Sequence, residues 1–318
     1  MKAAVVTSFT TPPAYADFPD PDPVAGTVEV RMLAAGVHQL VRSVAAGSHY
    51  SAGDRLPFVA GVDGIAEFDD GRRVYTGGCP DPYGTIAERT LVPAGWAVPV
   101  PDALPTELAA AVVNPAMSSW MPLADRGVPT GGTVLVLGAT GASGSLAVRI
   151  ALHHGAGRVV AAGRDPAALE RVCADDRVVG VRIGEDPAAT TAALVAALDG
   201  GPDVVLDYLW GPVAVAAFDA LRSGSLQHGG RAVRYVQIGS LAGRTVELDA
   251  AILRARRIEV TGSGGGSIDP ALLFAELPRL LDAVVTEGLD VPVRTAELAD
   301  VERAWTADGP GRLVITTG

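Results

Sequence analysis

The stretch VLVLGATGASGSLAVRIA, residues 134–151, decides how this chain is read. An aliphatic run, Thr133–Leu137, leads as a strand into Gly138, Gly141 and Gly144, and a helical pattern follows. Glycines let the backbone turn tightly and come close to a pyrophosphate. The helix that opens there offers unpaired N–H groups and the positive end of its dipole. The spacing predicts a dinucleotide site on Gly138, Thr140, Gly141, Ala142, Ser143 and Gly144.

Beyond the turn, strands and helices alternate: RVVAAG, PAALERVCA, VVGVRI, TTAALVAALDG, DVVLDYL, VAVAAFDAL, AVRYVQIGS and RIEVTGS. Strands separated by helices of about 10–15 residues imply βαβ units and a parallel sheet. The second strand carries the cofactor choice. It ends Gly163-Arg164, without the carboxylate that would hold the ribose of NAD, and Arg164 can meet the 2′-phosphate of NADP. Asp165 reads as a helix N-cap. Two later junctions, Asp207-Tyr208 and Gly239-Ser240, fall at the same sheet edge. Asp207, Gly239 and Ser240 could line the nicotinamide side, and for Asp207 a capping role is the alternative. The run Gly262, Gly264, Gly265 reads as a cofactor-side loop or a hinge.

On the N-terminal side, residues 1–110 hold many Pro and Gly and short β-type runs (KAAVV, TVEVRMLAAGV, RRVYT, IAERTLVP), with helices hard to find. A Pro-bounded segment, PVPDALPTELAAAVV, separates the two halves, and the tail holds one helix, PALLFAELPRLLDAVVTEG, and short β-type pieces. The 318 residues therefore divide into a β-rich part, 1–114 with 266–318, and an α/β part, 115–265.

Composition removes several chemistries. Lys2 is the only lysine among 25 basic residues, so no interior lysine can form a Schiff base, hold a phosphate in a P-loop or serve a Tyr-x-x-x-Lys reductase. A net charge of −11 argues against nucleic-acid partners. Cys79 and Cys173 cannot form a disulfide framework or a Cys-rich zinc site. No apolar run is long enough to span a membrane, and MKAAVV is too short for a secretory leader, so the expectation is a cytoplasmic protein.

The segments MKAAVVTSF, VEVRMLAAGVH, LPFVAGVDGIA, YGTIAERTLVPA and VLVLGATGASG together resemble the medium-chain dehydrogenase/reductase superfamily, in its quinone oxidoreductase-like branch. The resemblance covers nearly the whole chain and implies a Rossmann-type doubly wound parallel sheet domain plus a β-rich GroES-like catalytic domain. Zinc-dependent members carry a Cys, a His-Glu pair and a second Cys around the metal. The corresponding positions here look like His38, Val62-Asp63 and Asn114, a poor donor set for zinc.

The resemblance thus implies a zinc-independent enzyme using NADPH to reduce quinones or activated alkenes, acting on a partly apolar small molecule as a homodimer. The run RAVRYVQIGS could supply the dimer edge. His38 leads the candidates for a hydrogen-bond donor or proton relay, with Tyr50 (or His49) and Asn114 behind it, and Asp63 reads as structural. Phe58, Tyr83, Trp120 and Met117 are candidate pocket walls. Two alternatives stay open: a carbonyl reductase or alcohol dehydrogenase of the same fold, and a non-catalytic NADPH-binding sensor.

Overall fold

The computed structural model describes residues 1–223 and 232–317. The chain separates into two compact units, Met1–Pro115 with Phe274–Gly318, and Ala116–Leu273.

Unit 1 is built of short strands. β1 (Lys2–Val6) lies between β2 (Ala14–Asp17) and β4 (Phe58–Val59) in a small antiparallel sheet. The long β3 (Thr27–Val37) leads into α1 (Gln39–Ala45). Next come β5 (Asp63–Glu67), β6 (Arg73–Gly77), β7 (Arg89–Pro93) and β8 (Val98–Pro99). Between Met32 and Ala34 a register shift breaks the β3–β5 ladder, and β7 also pairs with β3. Alternation supplies the core: Ala35 and Val37 pack with Ile86 on one side, while Met32 packs with Val74 and Val92 on the other.

The Pro-bounded segment holds an unexpected element. From Thr106 to Arg126 it forms one 21-residue helix, α2, that contains Pro115 and Pro122. An internal proline lacks the N–H that a helix needs and normally ends it. Burial of Ala109–Val113, Ala116, Trp120, Met121 and Leu123 keeps this helix continuous.

Unit 2 follows the predicted alternation. Its elements are β9 (Thr133–Leu137), α3 (Ala142–His153), β10 (Arg158–Gly163), α4 (Pro166–Val172), β11 (Val178–Arg182) and α5 (Pro187–Ala197). They continue with β12 (Val204–Asp207), α6 (Gly211–Arg222), β13 (Val233–Gln237), α7 (Ala250–Ala255) and β14 (Ile258–Gly262). The sheet is wholly parallel, in the order β11-β10-β9-β12-β13-β14. The chain starts at the centre and winds outward both ways, which makes the β9 and β12 ends the switch point of a dinucleotide-binding sheet. Its central strands are aliphatic throughout because helices cover both faces. One expectation is corrected: β13, from the run RAVRYVQIGS, lies inside the sheet and β14 forms the edge. Arg231 of that run lies outside the described residues.

The chain returns through α8 (Pro270–Thr286), β15 (Val293–Glu297), α9 (Val301–Thr306) and β16 (Arg312–Thr316). β16 completes the larger sheet of unit 1 against β3. The chain crosses between the units inside α2 and α8, and not at the glycine run, where three hydrogen bonds between Ser267 and Gly264 close a turn.

Candidate active site and cofactor turn

In unit 2 the glycine turn is built as its composition requires. Gly138 has φ +96°, a conformation that favours glycine, and its N–H and that of Ala139 both donate to Ala162 O at 2.9 Å. Gly144 packs so tightly that a Cβ would lie 2.1 Å from Gly138 O. Gly163 likewise accommodates Thr140, whose Cγ2 would sit 2.3 Å from an added Cβ.

Capping separates α3 from α4, α5 and α7, while α6, which follows Trp210, likewise has no side-chain cap. Asp165, Asp186 and Asp249 cap α4, α5 and α7, accepting from Ala168 N, Ala188 N and Ala251 N at 3.0, 2.9 and 2.8 Å. The α3 cap is Gly141, which has no side chain to offer. The first N–H groups of α3, at Ala142, Ser143 and Gly144, therefore have neither a preceding turn nor a cap to bond. A pyrophosphate fits this end by charge and by hydrogen bonding.

Arg164 is exposed beyond β10 and forms no ion pair among the described residues. Gly163 pairs in register with Arg182, a second exposed arginine at the same sheet edge that the sequence reading missed. Its only signal is its place at the end of VVGVRI. Asp165 spends its carboxylate on the α4 cap.

Asp207 takes the capping alternative. It is fully buried; Oδ1 accepts from Leu209 N and Trp210 N at 2.8 and 3.0 Å, and Oδ2 from Tyr235 OH at 2.7 Å. Burial holds its carboxyl pKa above the ordinary value. Its carboxylate thus serves its own turn and not the open edge. Gly239 packs on Tyr208, its N–H bonding Asp207 O at 3.1 Å, and Ser240 beside it is exposed.

Unit 1 gathers a polar cluster around one carboxylate. Asp63 begins β5, and its Oδ1 lies 2.7 Å from His38 Nε2 and accepts from Asn114 Nδ2 at 3.2 Å. Its Oδ2 accepts from Tyr75 OH at 2.8 Å, and Thr85 Oγ1 donates to its carbonyl at 2.9 Å. His38 follows β3 as the α1 N-cap residue, Tyr75 comes from β6, and Asn114 from α2. His38 and Asp63 are 4% and 2% exposed, so the pair is effectively dry. A carboxylate only accepts, so the imidazole proton facing Asp63 sits on Nε2 and Nδ1 is left as the acceptor. The phenol of Tyr75 is pushed well above its ordinary pKa by burial and then by the Asp63 charge, so it remains a neutral donor.

His38 and Asn114 thus meet at Asp63, whereas Tyr50 stands apart. It is 77% exposed, its ring lies 4.1 Å from that of His49, and its hydroxyl makes no hydrogen bond among the described residues. Tyr75 is the tyrosine at the cluster, and nothing in RRVYTGG distinguishes it from a core strand residue. Arg312 was also missed. Leu313 pairs with Val37, which sets Arg312 beside His38 at the end of that ladder. Burial lowers its pKa while Asp63 opposes the shift, and its Nε has no partner.

The remaining candidates have ordinary uses. Tyr83 OH donates to Asp20 O at 3.2 Å, Phe58 packs on the unit 1 core, and Trp120 is buried against His153 and His154. Met117 is half-buried. Burial pushes the Cys79 thiol up to about 11, which leaves it unreactive near neutrality. Among the described residues no three His, Cys, Asp or Glu side chains gather where they could hold a metal, and no helix is long and apolar enough to cross a membrane.

No family model matches the chain. A probable NADPH-dependent quinone reductase of Emericella nidulans is 30% identical over 350 aligned residues, covering 96% of both proteins. An acrylyl-CoA reductase of Ruegeria pomeroyi is 42% identical over 77 residues, 23% of each chain. Among solved structures, the quinone oxidoreductase of Thermus thermophilus, determined also as its NADPH complex, superposes over the full length of both chains with TM-score 0.78 and 26% identity. An alcohol dehydrogenase superfamily protein of Novosphingobium aromaticivorans does so with TM-score 0.80 and 26% identity. Full-length similarity, an outward-wound parallel sheet with its glycine turn and a separate β-rich unit agree, and the chain belongs to the zinc-independent, quinone oxidoreductase-like branch of the medium-chain dehydrogenase/reductase superfamily.

Proposed function

We propose that the protein is a zinc-independent, NADPH-dependent oxidoreductase that reduces a quinone or an activated C=C bond. The observation that carries this reading is the full-length similarity to the quinone reductase of Emericella nidulans. The match to an acrylyl-CoA reductase supports the alkene half of the substrate class. When bound, NADPH supplies the hydride, so the protein has only to orient the acceptor and handle a proton. The uncapped end of α3, from Gly141 to Gly144, would hold the pyrophosphate, and Arg164 with Arg182 the 2′-phosphate. Gly239 and Ser240 would border the nicotinamide side. In unit 1, His38 would relay a proton, taken up at Nδ1 and passed to the reduced acceptor, held in place by Asp63, with Asn114 steadying the same carboxylate. Tyr50, exposed on its loop, would act only by closing over the substrate.

The finer parts of the reading are a cytoplasmic location, in keeping with two free cysteines, and a homodimer. NADPH oxidation against a panel of quinones, enones and simple ketones tests the reaction. Turnover of quinones or enones is expected, and turnover of ketones alone would overturn the proposal in favour of a carbonyl reductase. Arg164→Ala should weaken NADPH binding about tenfold while leaving NADH binding unchanged. Equal affinity for both cofactors in the unmodified protein would sink the 2′-phosphate assignment.

A further inference from the structure

Unit 2 carries a cavity of about 230 Å³ between the C-terminal part of α2, strands β13 and β14, and the start of α8. Arg234 and Val236 alternate along β13 and so face the same side, where Thr261 is the register partner of Val236. Met121, Ile268 and Leu272 complete an apolar wall around the arginine.

Arg234 is the unusual member. It is only 8% exposed and forms no ion pair among the described residues. Its Nη2 donates to Gly127 O at 2.9 Å and Nε is buried without a partner among the described residues, and the arginine lines the cavity. The charges nearby are already committed. Arg126 is held by both carboxylate oxygens of Glu259, and Asp269 accepts from Ala271 N at 2.9 Å as a cap of α8. Asp125, on the exposed side of α2, also borders the cavity. Burial lowers the Arg234 pKa and the positive charge of Arg126 adds to that, while the carboxylates of Asp125 and Glu259 oppose the shift. A guanidinium in such surroundings gains most from a carboxylate brought in beside it.

We propose that this cavity binds a short-chain monocarboxylate, with its carboxylate on Arg234 and its alkyl chain against Met121, Ile268 and Leu272. The volume falls below the ~300–1,000 Å³ of ordinary ligand pockets, which limits the ligand to a short chain. Asp125 and Asp269 border the cavity and disfavour a ligand of higher negative charge relative to a monocarboxylate. The site involves neither the glycine turn nor the His38 cluster and does not depend on the proposed reaction.

Calorimetric titration of the full-length protein with butanoate tests this, with butyramide as the neutral isostere and inorganic phosphate as the alternative anion. Butanoate should bind at least about tenfold more tightly than either, and saturating NADPH should not displace it. Arg234→Met should weaken butanoate about tenfold, and Ile268→Trp, which fills the cavity without touching the charge, should abolish binding. The proposal is overturned if butanoate does not bind, if butyramide binds equally well, if NADPH displaces it, or if binding survives a substitution that folds.

Discussion

Asp63 is the residue on which unit 1 turns. Alone it is a buried charge, which is costly; with His38, Tyr75 and Asn114 around it the carboxylate is satisfied. Tyr75→Phe removes one donor and leaves Oδ2 dry and unpaired. Urea denaturation should show a loss of about 1–3 kcal/mol. Asp207 is the counterpart in unit 2, and its raised pKa gives a pH signature. The folded state holds that proton more tightly than the unfolded chain, so stability declines as pH rises from the ordinary carboxylate value through the raised one. Asp207→Asn cannot titrate and should flatten that part of the stability–pH curve. An unchanged slope would show that other groups produce it.

At the scale of elements, the N-terminus of α3 differs from those of α4, α5 and α7, although α6, behind Trp210, also has no side-chain cap. An aspartate at each of α4, α5 and α7 satisfies N–H groups, whereas Gly141 leaves those of α3 open. The backbone at Gly141 is extended, and a Cβ there would meet only Gly138 O at an ordinary 3.5 Å. Gly141→Asp is therefore sterically allowed and would cap the helix. We expect a gain of about 0.5–1 kcal/mol in stability and at least a hundredfold loss of NADPH affinity, since the new carboxylate occupies the phosphate end and repels it. Thermal unfolding and cofactor titration read the two effects separately. A helix left uncapped for structural reasons alone would show the first without the second.

At the scale of the whole molecule, strand order decides which surface can assemble. β14 is one of the two sheet edges, the other being β11; its Val260 is 42% exposed, and Leu253 on the preceding α7 is 51% exposed. An edge strand with exposed aliphatic residues invites pairing with a second copy. If the homodimer forms there, Val260→Lys should shift sedimentation toward the monomer and leave the fold intact. A dimer unaffected by that change uses another surface.

The glycine turn, the alternation of strands and helices around it, and the Asp165 cap were legible in the sequence by itself. Each is a local matter, settled by side-chain size, periodicity and hydrogen bonding within a few residues. The continuous α2 was not legible, because Pro115 and Pro122 forbid it locally and only burial against the core overrides them. Nor could the chain order show that β13 is interior, that Arg182 pairs in register with Gly163, or that Tyr75 and not Tyr50 bonds Asp63. Those are facts of register, and register is set by which strands close over a common core. The sequence determined that this protein is made to hold a dinucleotide. Only the tertiary structure decided which side chains meet at Asp63, since residues 38, 63, 75 and 114 come together only when β3, β5, β6 and α2 pack as one unit.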